Sequence, residues 1–190
     1  MRSDLVSGLR PTLLFTLIFA ALLGIVYPLV VTGAGQLLFP AQANGSLVRD
    51  DVGKLRGSML LGQSFAGPGY FQGRPSAAGN GYDSLASGGS NLGPASKKLI
   101  DRVTADQKRL GADVPADLLQ ASGSGLDPEI SPAAARFQVA RVAKARGIAP
   151  DRVAQLVEAS VQGRLFGIIG EPRVNVFALN LALDRQGGAR

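Results

Sequence analysis

One interval without charge constrains this chain more than any other feature. Between Arg10 and Arg49 lie 38 residues with no Lys, Arg, Asp or Glu. Inside it, Leu13 to Val31 reads LLFTLIFAALLGIVYPLVV, 19 residues whose only polar members are Thr16 and the Tyr27 hydroxyl. A helix rising about 1.5 Å per residue would carry this run across the roughly 30 Å hydrocarbon core of a bilayer. No polar face interrupts it, which argues against a buried core helix of a soluble domain. Pro11 suits a first helical turn. Pro28 is expected to kink the helix or mark its exit, with Tyr27 as an interfacial anchor. Thr16 and Gly24 are candidates for a helix-packing face, although Gly24 can equally be a lone small residue facing lipid. The competing reading is a cleaved signal peptide, with Arg2 and Arg10 as its basic region and Ala41-Gln42-Ala43 as the cleavage site. Against it, a signal's apolar region runs to about 7–15 residues, and this one is longer.

The flanks set an expected orientation. Arg2, Arg10 and the terminal amine stand against Asp4 on one side. On the other side no basic residue precedes Arg49, beyond the window in which positive charge biases topology. The expected division is a cytoplasmic N-terminus at 1–10, a transmembrane helix and exit at 11–39, and a periplasmic domain at 40–190 of an inner-membrane protein. Val174 to Leu183 is too short and too broken by Asn175 and Asn180 to return through the membrane.

Composition narrows the chemistry. The chain has 190 residues, no Cys and no His, 20 Lys+Arg and 14 Asp+Glu. Disulfides, thiolate metal sites, thiol nucleophiles and histidine general bases are thereby excluded. The excess of basic residues reads as a soluble surface near anionic lipid headgroups. Nucleic acid is a poor partner, because no Lys/Arg run exceeds two and aromatics make up only 6%.

Beyond the membrane segment, Gly53 to Gly93 holds 11 glycines in 41 residues. Phe65, Tyr70, Phe71 and Tyr82 are spaced among them, so a packed irregular loop region is expected rather than a linker. Ser58 to Gln63 is expected as a strand. Three helices follow. One spans Ser96 to Leu110, with Leu99, Ile100, Val103 and Leu110 on one side. The next is capped by Ser131-Pro132, carries Phe137, Val139 and Val142, and stops at Gly147. The third opens at Pro150 and keeps Val153, Leu156, Val157 and Val161 in register. The tail from Arg173 to Asp184 reads as a strand passing into a short helix. The fold class is thus α+β: one N-terminal membrane helix and one mixed outer domain with Gly-rich loops.

Four segments invite a chemical reading. Gly88-Gly89-Ser90-Asn91-Leu92-Gly93 has phosphate-loop glycine spacing, but Pro94 and Ala95 replace the Lys and Ser/Thr that would bind phosphate and magnesium. It reads as an anion-binding turn or as a helix-capping turn. Asp127 and Glu129 form either a carboxylate pair of a membrane-tethered enzyme or turn residues that bond nearby amides. Tyr70, Phe71 and Arg74, in Tyr70-Phe71-Gln72-Gly73-Arg74-Pro75-Ser76, are a partner-facing cluster or a rigid turn. Thr16, Gly24 and Tyr27 are the membrane-side contact candidates.

Several motifs then fall in order. They are Tyr27-Pro28 after the membrane helix, Gly62-Gln63-Ser64-Phe65, the segment from Tyr70 to Ser76, Ala86 to Pro94, Ala121 to Pro132, Gln138 to Ala143, Gly170 to Val176, and Leu179 to Asp184. With this order the chain resembles the C subunits of bacterial Kdp potassium-transporting P-type ATPases (the KdpC family) over nearly its whole length. It departs from the family pattern at Glu129, where His is expected. The resemblance implies an accessory, non-catalytic subunit beside a channel-like potassium-binding subunit, a P-type ATP-hydrolysing subunit and a small membrane subunit. It also implies a catalytic-chaperone role that raises ATP affinity, and nucleotide contact by Ser87, Gly88, Gly89, Ser90 and Asn91. No cofactor or metal is expected on this chain alone; ATP and potassium are substrates of the complex. The expected topology argues against direct nucleotide contact, since ATP is cytoplasmic and Ser87 to Asn91 would lie outside. A scaffold that covers the channel entrance is the preferred reading. A cleaved, secreted binding protein is the third.

Overall fold

The computed structural model describes residues 2–186. The terminal amine and the side chains of Arg2 and Asp4, on which the orientation expectation rests, lie outside the described residues. The chain divides after Leu47 into two compact units.

The first unit is helical. α1 (Arg2–Ala21) passes through one π-helical turn (Leu22–Val26) into α2 (Tyr27–Leu38), and a short α3 (Pro40–Ala43) follows. The stretch Ser7–Leu38 is 32 residues long, with a mean hydropathy of 2.5 in its most apolar window. That is long and apolar enough to anchor the chain in a membrane. The expected kink at Pro28 takes a specific form. Proline lacks an N–H, and its ring crowds the carbonyl four residues back. The wider turn just before it resolves the crowding: the Tyr27 N–H bonds the Leu22 carbonyl, five residues back. The helix then runs on for ten residues past Pro28 instead of ending there.

The second unit is α+β. A small sheet pairs β1 (Leu47–Arg49) with β2 (Leu55–Ser58). Extension therefore ends where a strand was expected to begin. Leu60 and Leu61 lie in an exposed turn, and the chain re-enters at Gly62, whose N–H bonds the Leu126 carbonyl at 2.7 Å. A Cβ on Gly62 would sit 2.5 Å from the Asp127 carbonyl oxygen, so only glycine permits that approach.

Next come α4 (Lys97–Leu110), a 3-10 turn (Ala116–Leu118), β3 (Glu129–Ile130), α5 (Pro132–Arg146), α6 (Pro150–Ser160), β4 (Val161–Gln162), β5 (Arg173–Asn175) and α7 (Val176–Gln186). β5 is the middle strand, antiparallel to both neighbours, with Val174 opposite both Ile130 and Val161. Ser131 caps α5 by accepting from the Ala134 N–H, and Gly147 ends it in the left-handed region.

α5, α6 and α7 pack with β5 around one apolar core that includes Val142, Val153, Val157, Val174, Leu179 and Leu183. Of the apolar residues read on α5, Val142 is fully buried. Ala134, Ala135, Gln138, Val142 and Ala143 point inward, while Phe137 and Val139 are only partly buried. Alanines let other backbone approach the helix closely, and Gln138 has polar work there. α4 buries no residue fully, and Ile100 is 55% exposed, so its apolar stripe is only partly used.

Candidate functional site

The Gly-rich segments close into two linked constructions. The first is a clasp around residues 68–74. Phe71 is fully buried, and its N–H and C=O both bond the carboxamide of Asn180, each at 2.9 Å. The next residue is held likewise: the Gln72 N–H donates to Gln138 Oε1 at 2.8 Å, and Gln138 Nε2 donates to the Gln72 carbonyl at 3.0 Å. A carboxamide offers one donor and one acceptor side by side, as a neighbouring strand would. The segment is thus paired like a strand between α5 and α7 with no strand beside it.

Arginines hold three more carbonyls, those of Pro68, Gly69 and Tyr70. Arg141 donates to the carbonyls of Pro68 and Tyr70 at 2.7 and 3.1 Å, and to Gln138 Oε1 at 2.7 Å. Burial, and the nearby charge of Arg109, lower the pKa of Arg141 below the usual guanidinium value. Arg146 bonds the Gly69 carbonyl at 2.6 Å and Asp184 at 2.7 Å, and its guanidinium lies 4.6 Å from the centroid of the Tyr70 ring. Tyr70 also stacks against Phe65, with ring centroids 5.7 Å apart. Phe71 is therefore a core residue and not a surface contact, which corrects its place among the partner-facing candidates. Tyr70 and Arg74 are half-buried and bonded within the fold.

The second construction zips two loops together. Ser87 Oγ and the Gly88 N–H both donate to the Ser124 carbonyl, at 3.0 and 2.8 Å. A Cβ on Gly89 would lie 2.9 Å from the Gly123 carbonyl oxygen, and one on Gly125 would meet Gly88 O at 2.8 Å. The glycines serve close backbone approach, and the Gly88 amide is turned to a protein carbonyl. Ser90 lines a shallow apolar depression with Leu99, Val103 and Leu119, and Asn91 is exposed with φ +50°.

Ser76 ties the two constructions together. Its Oγ donates to the Gly125 carbonyl at 2.6 Å and accepts from the N–H groups of Ala78 and Tyr82. Tyr82 donates its hydroxyl to the Arg74 carbonyl. Burial first, and the charge of Asp127 second, raise the Tyr82 pKa above that of an ordinary phenol.

Asp127 and Glu129 are not a facing pair. Asp127 accepts from Arg74 at 3.0 Å through one oxygen and from the Glu129 N–H through the other. Glu129 bonds Arg173 at 2.8 Å. Each carboxylate is engaged by a guanidinium of its own, Arg74 for Asp127 and Arg173 for Glu129. Beside Arg74 a cleft of about 340 Å³ is lined by Gln72, Tyr82, Asp106 and Arg109, a mixed set with no single sign of charge. No group of three or more His, Cys, Asp or Glu among the described residues is arranged to hold a metal ion.

In the first unit, Tyr27 is 60% exposed, and nothing lies within 4 Å of where a Cβ on Gly24 would be. Thr16 is exposed likewise.

Gln138, Arg141, Arg146 and Asn180 were not singled out as positioning residues. The signal for two of them was a carboxamide inside an apolar helical pattern, between Phe137 and Val139 and between Leu179 and Leu181.

These features define an α+β protein with one N-terminal helix long and apolar enough to cross a membrane, whose polar constellations fasten its own loops. The chain belongs to the KdpC family, described as K+-transporting ATPase, c chain, which it matches over residues 9–185. It is 57% identical over 185 residues to the potassium-transporting ATPase KdpC subunit of Caulobacter vibrioides, covering 95% of this chain and 94% of the relative. To the subunit of the same name from Myxococcus xanthus it is 58% identical over 174 residues, covering 88% and 82%. With that of Acidobacterium capsulatum it shares 53% over 180 residues, covering 93% and 97%.

Proposed function

We propose that the chain is the accessory, non-catalytic subunit of a high-affinity, ATP-driven potassium uptake pump. Its helix packs in the inner membrane on a channel-like potassium-binding subunit, beside a P-type ATP-hydrolysing subunit and a small membrane subunit. The N-terminus is cytoplasmic and the second unit periplasmic, where it stabilises the assembly over the channel entrance. Family membership and the names of the relatives support the subunit reading. The charge-free exit after Arg10 supports the orientation.

The observation that carries a scaffold role is the bonding of Ser87 and Gly88 to Ser124. Two of the groups that would have to cradle phosphate, the Ser87 hydroxyl and the Gly88 N–H, already hold a second loop, so a rise in ATP affinity acts through the assembly and not through nucleotide on Ser87 to Asn91. The test is detergent purification of the complex with and without this chain. The expected result is co-purification with the larger membrane subunits, and a higher apparent KM for ATP when the chain is missing. Photoaffinity labelling of this chain by an azido-ATP in the intact complex would overturn the scaffold reading.

A further inference from the structure

Between β4 and β5 the chain leaves the core completely: residues 162–172 are all exposed. This stretch is not polar. Leu165, Phe166, Ile168 and Ile169 are 57, 84, 78 and 57% exposed. Together they present on the order of 500 Å² of apolar surface, near the largest patch usual for a soluble monomer.

The tip is an ordered turn. Leu165 and Ile169 exchange backbone bonds at 2.9 and 3.0 Å, and the N–H groups of Gly167 and Ile168 bond the carbonyls of Arg164 and Leu165. Phe166 at φ +53° and Gly167 at +78° are both left-handed. That conformation is unfavourable for a bulky residue, and such strain clusters where a side chain must be aimed. Because much of its backbone polarity is satisfied internally, the tip can leave water at little further cost.

Two kinds of apolar surroundings would accept it, and charge separates them. Loops that bind lipid surfaces surround an apolar tip with unpaired cations. Here Arg164 bonds both oxygens of Glu171, at 3.0 and 2.9 Å, and Arg173 is paired with Glu129. The base of the tip is charge-balanced, which suits a protein pocket. The area is also informative. It falls short of the roughly 800 Å² per partner of a free-standing interface. It suffices where a second attachment, here a membrane helix, already holds the partners at high effective concentration.

We propose that the Leu165–Ile169 tip is an anchor that inserts into an apolar, uncharged pocket on a membrane-embedded partner subunit of the same ATPase. This rests on the pump-subunit reading above. The test places the photo-crosslinker p-benzoylphenylalanine at position 166 of the full chain, co-expressed with the other subunits, with the same probe at Leu85, which is 97% exposed, as control. Irradiation of the purified complex is expected to join position 166, and not position 85, to a partner subunit. Lipid adducts, or no adduct in a complex that still co-purifies, overturn the anchor alone. Failure of the unmodified chain to co-purify overturns the pump-subunit reading and the anchor with it. As a second arm, Phe166→Ser with Ile168→Ser should leave the melting temperature of the free chain unchanged. The same pair should speed loss of the chain from the detergent-solubilised complex by on the order of tenfold or more. An unchanged rate refutes the proposal.

Discussion

Asn180→Leu tests the clasp most directly. Asn180 is 1% exposed, and the residue it pairs, Phe71, is 0% exposed. Leucine is of similar size, so the helix and its packing survive, but the N–H and C=O of Phe71 lose their partners. Each buried orphan costs about 1–3 kcal/mol, and the leucine recovers part of that by apolar burial, leaving a loss of about 3 kcal/mol. For a unit of this size, 1 kcal/mol shifts the melting temperature by about 3–4 °C, so a fall of about 10 °C is expected. The assay is thermal unfolding of the full chain in detergent, followed by the near-ultraviolet signal of its three tyrosines. Gln155→Leu, on the exposed side of α6, is the control and should stay within about 0.5 kcal/mol of the parent. Combined with Gln138→Leu, the loss should be less than the sum, because both carboxamides hold adjacent residues of one segment. A fall under about 3 °C, or one no larger than the control's, refutes the clasp as a source of stability.

Other outcomes follow from the loops and the ion pairs. Gly89→Ala should destabilise by about 1–3 kcal/mol through its clash with the Gly123 carbonyl, whereas Gly88→Ala, whose nearest such neighbour is 4.0 Å away, should melt like the parent. Equal losses for both would point to a shared ligand-binding role instead. The Tyr82 pKa is raised on folding, so its contribution to stability is present below about pH 10 and is lost as pH rises through the higher folded value. Alkaline melting curves should therefore fall more steeply for the parent than for Tyr82→Phe, and parallel curves would contradict this. Asp127→Asn with Glu129→Gln should leave ATP hydrolysis by the assembled complex nearly intact, at a cost of about 1 kcal/mol per ion pair. Complete loss of activity with normal assembly would restore the carboxylate-enzyme reading.

How much could be read in advance depended on the range of the interaction. Ser131-Pro132, Gly147 and Pro150 marked helix boundaries because capping involves only neighbours in sequence. The order of strand and helix in the tail was legible for the same reason. The strand expected at Ser58 to Gln63 was misplaced because its position depends on Gly62 reaching Leu126, 64 residues away. The small residues and the one carboxamide that line the inner face of α5 beside Val142 were not legible, because the elements packed against a helix decide which of its faces is buried. The apolar tip at Leu165–Ile169 is not legible from its short run, since nothing local distinguishes a buried strand from an exposed turn.

The sequence by itself determined the long apolar N-terminal helix, the α+β class, the absence of histidine and cysteine chemistry, and the family. These follow from composition, short periodic patterns and ordered motifs, all written along the chain. Only the tertiary structure decided what the glycines, carboxamides and arginines do. Asn180 lies 109 residues from the backbone it pairs, and Gln138 lies 66 residues from its own partner. A hydrogen bond depends on distances of a few ångström and on direction, and separation along the chain carries neither until the core has brought α5 and α7 to the two sides of one loop.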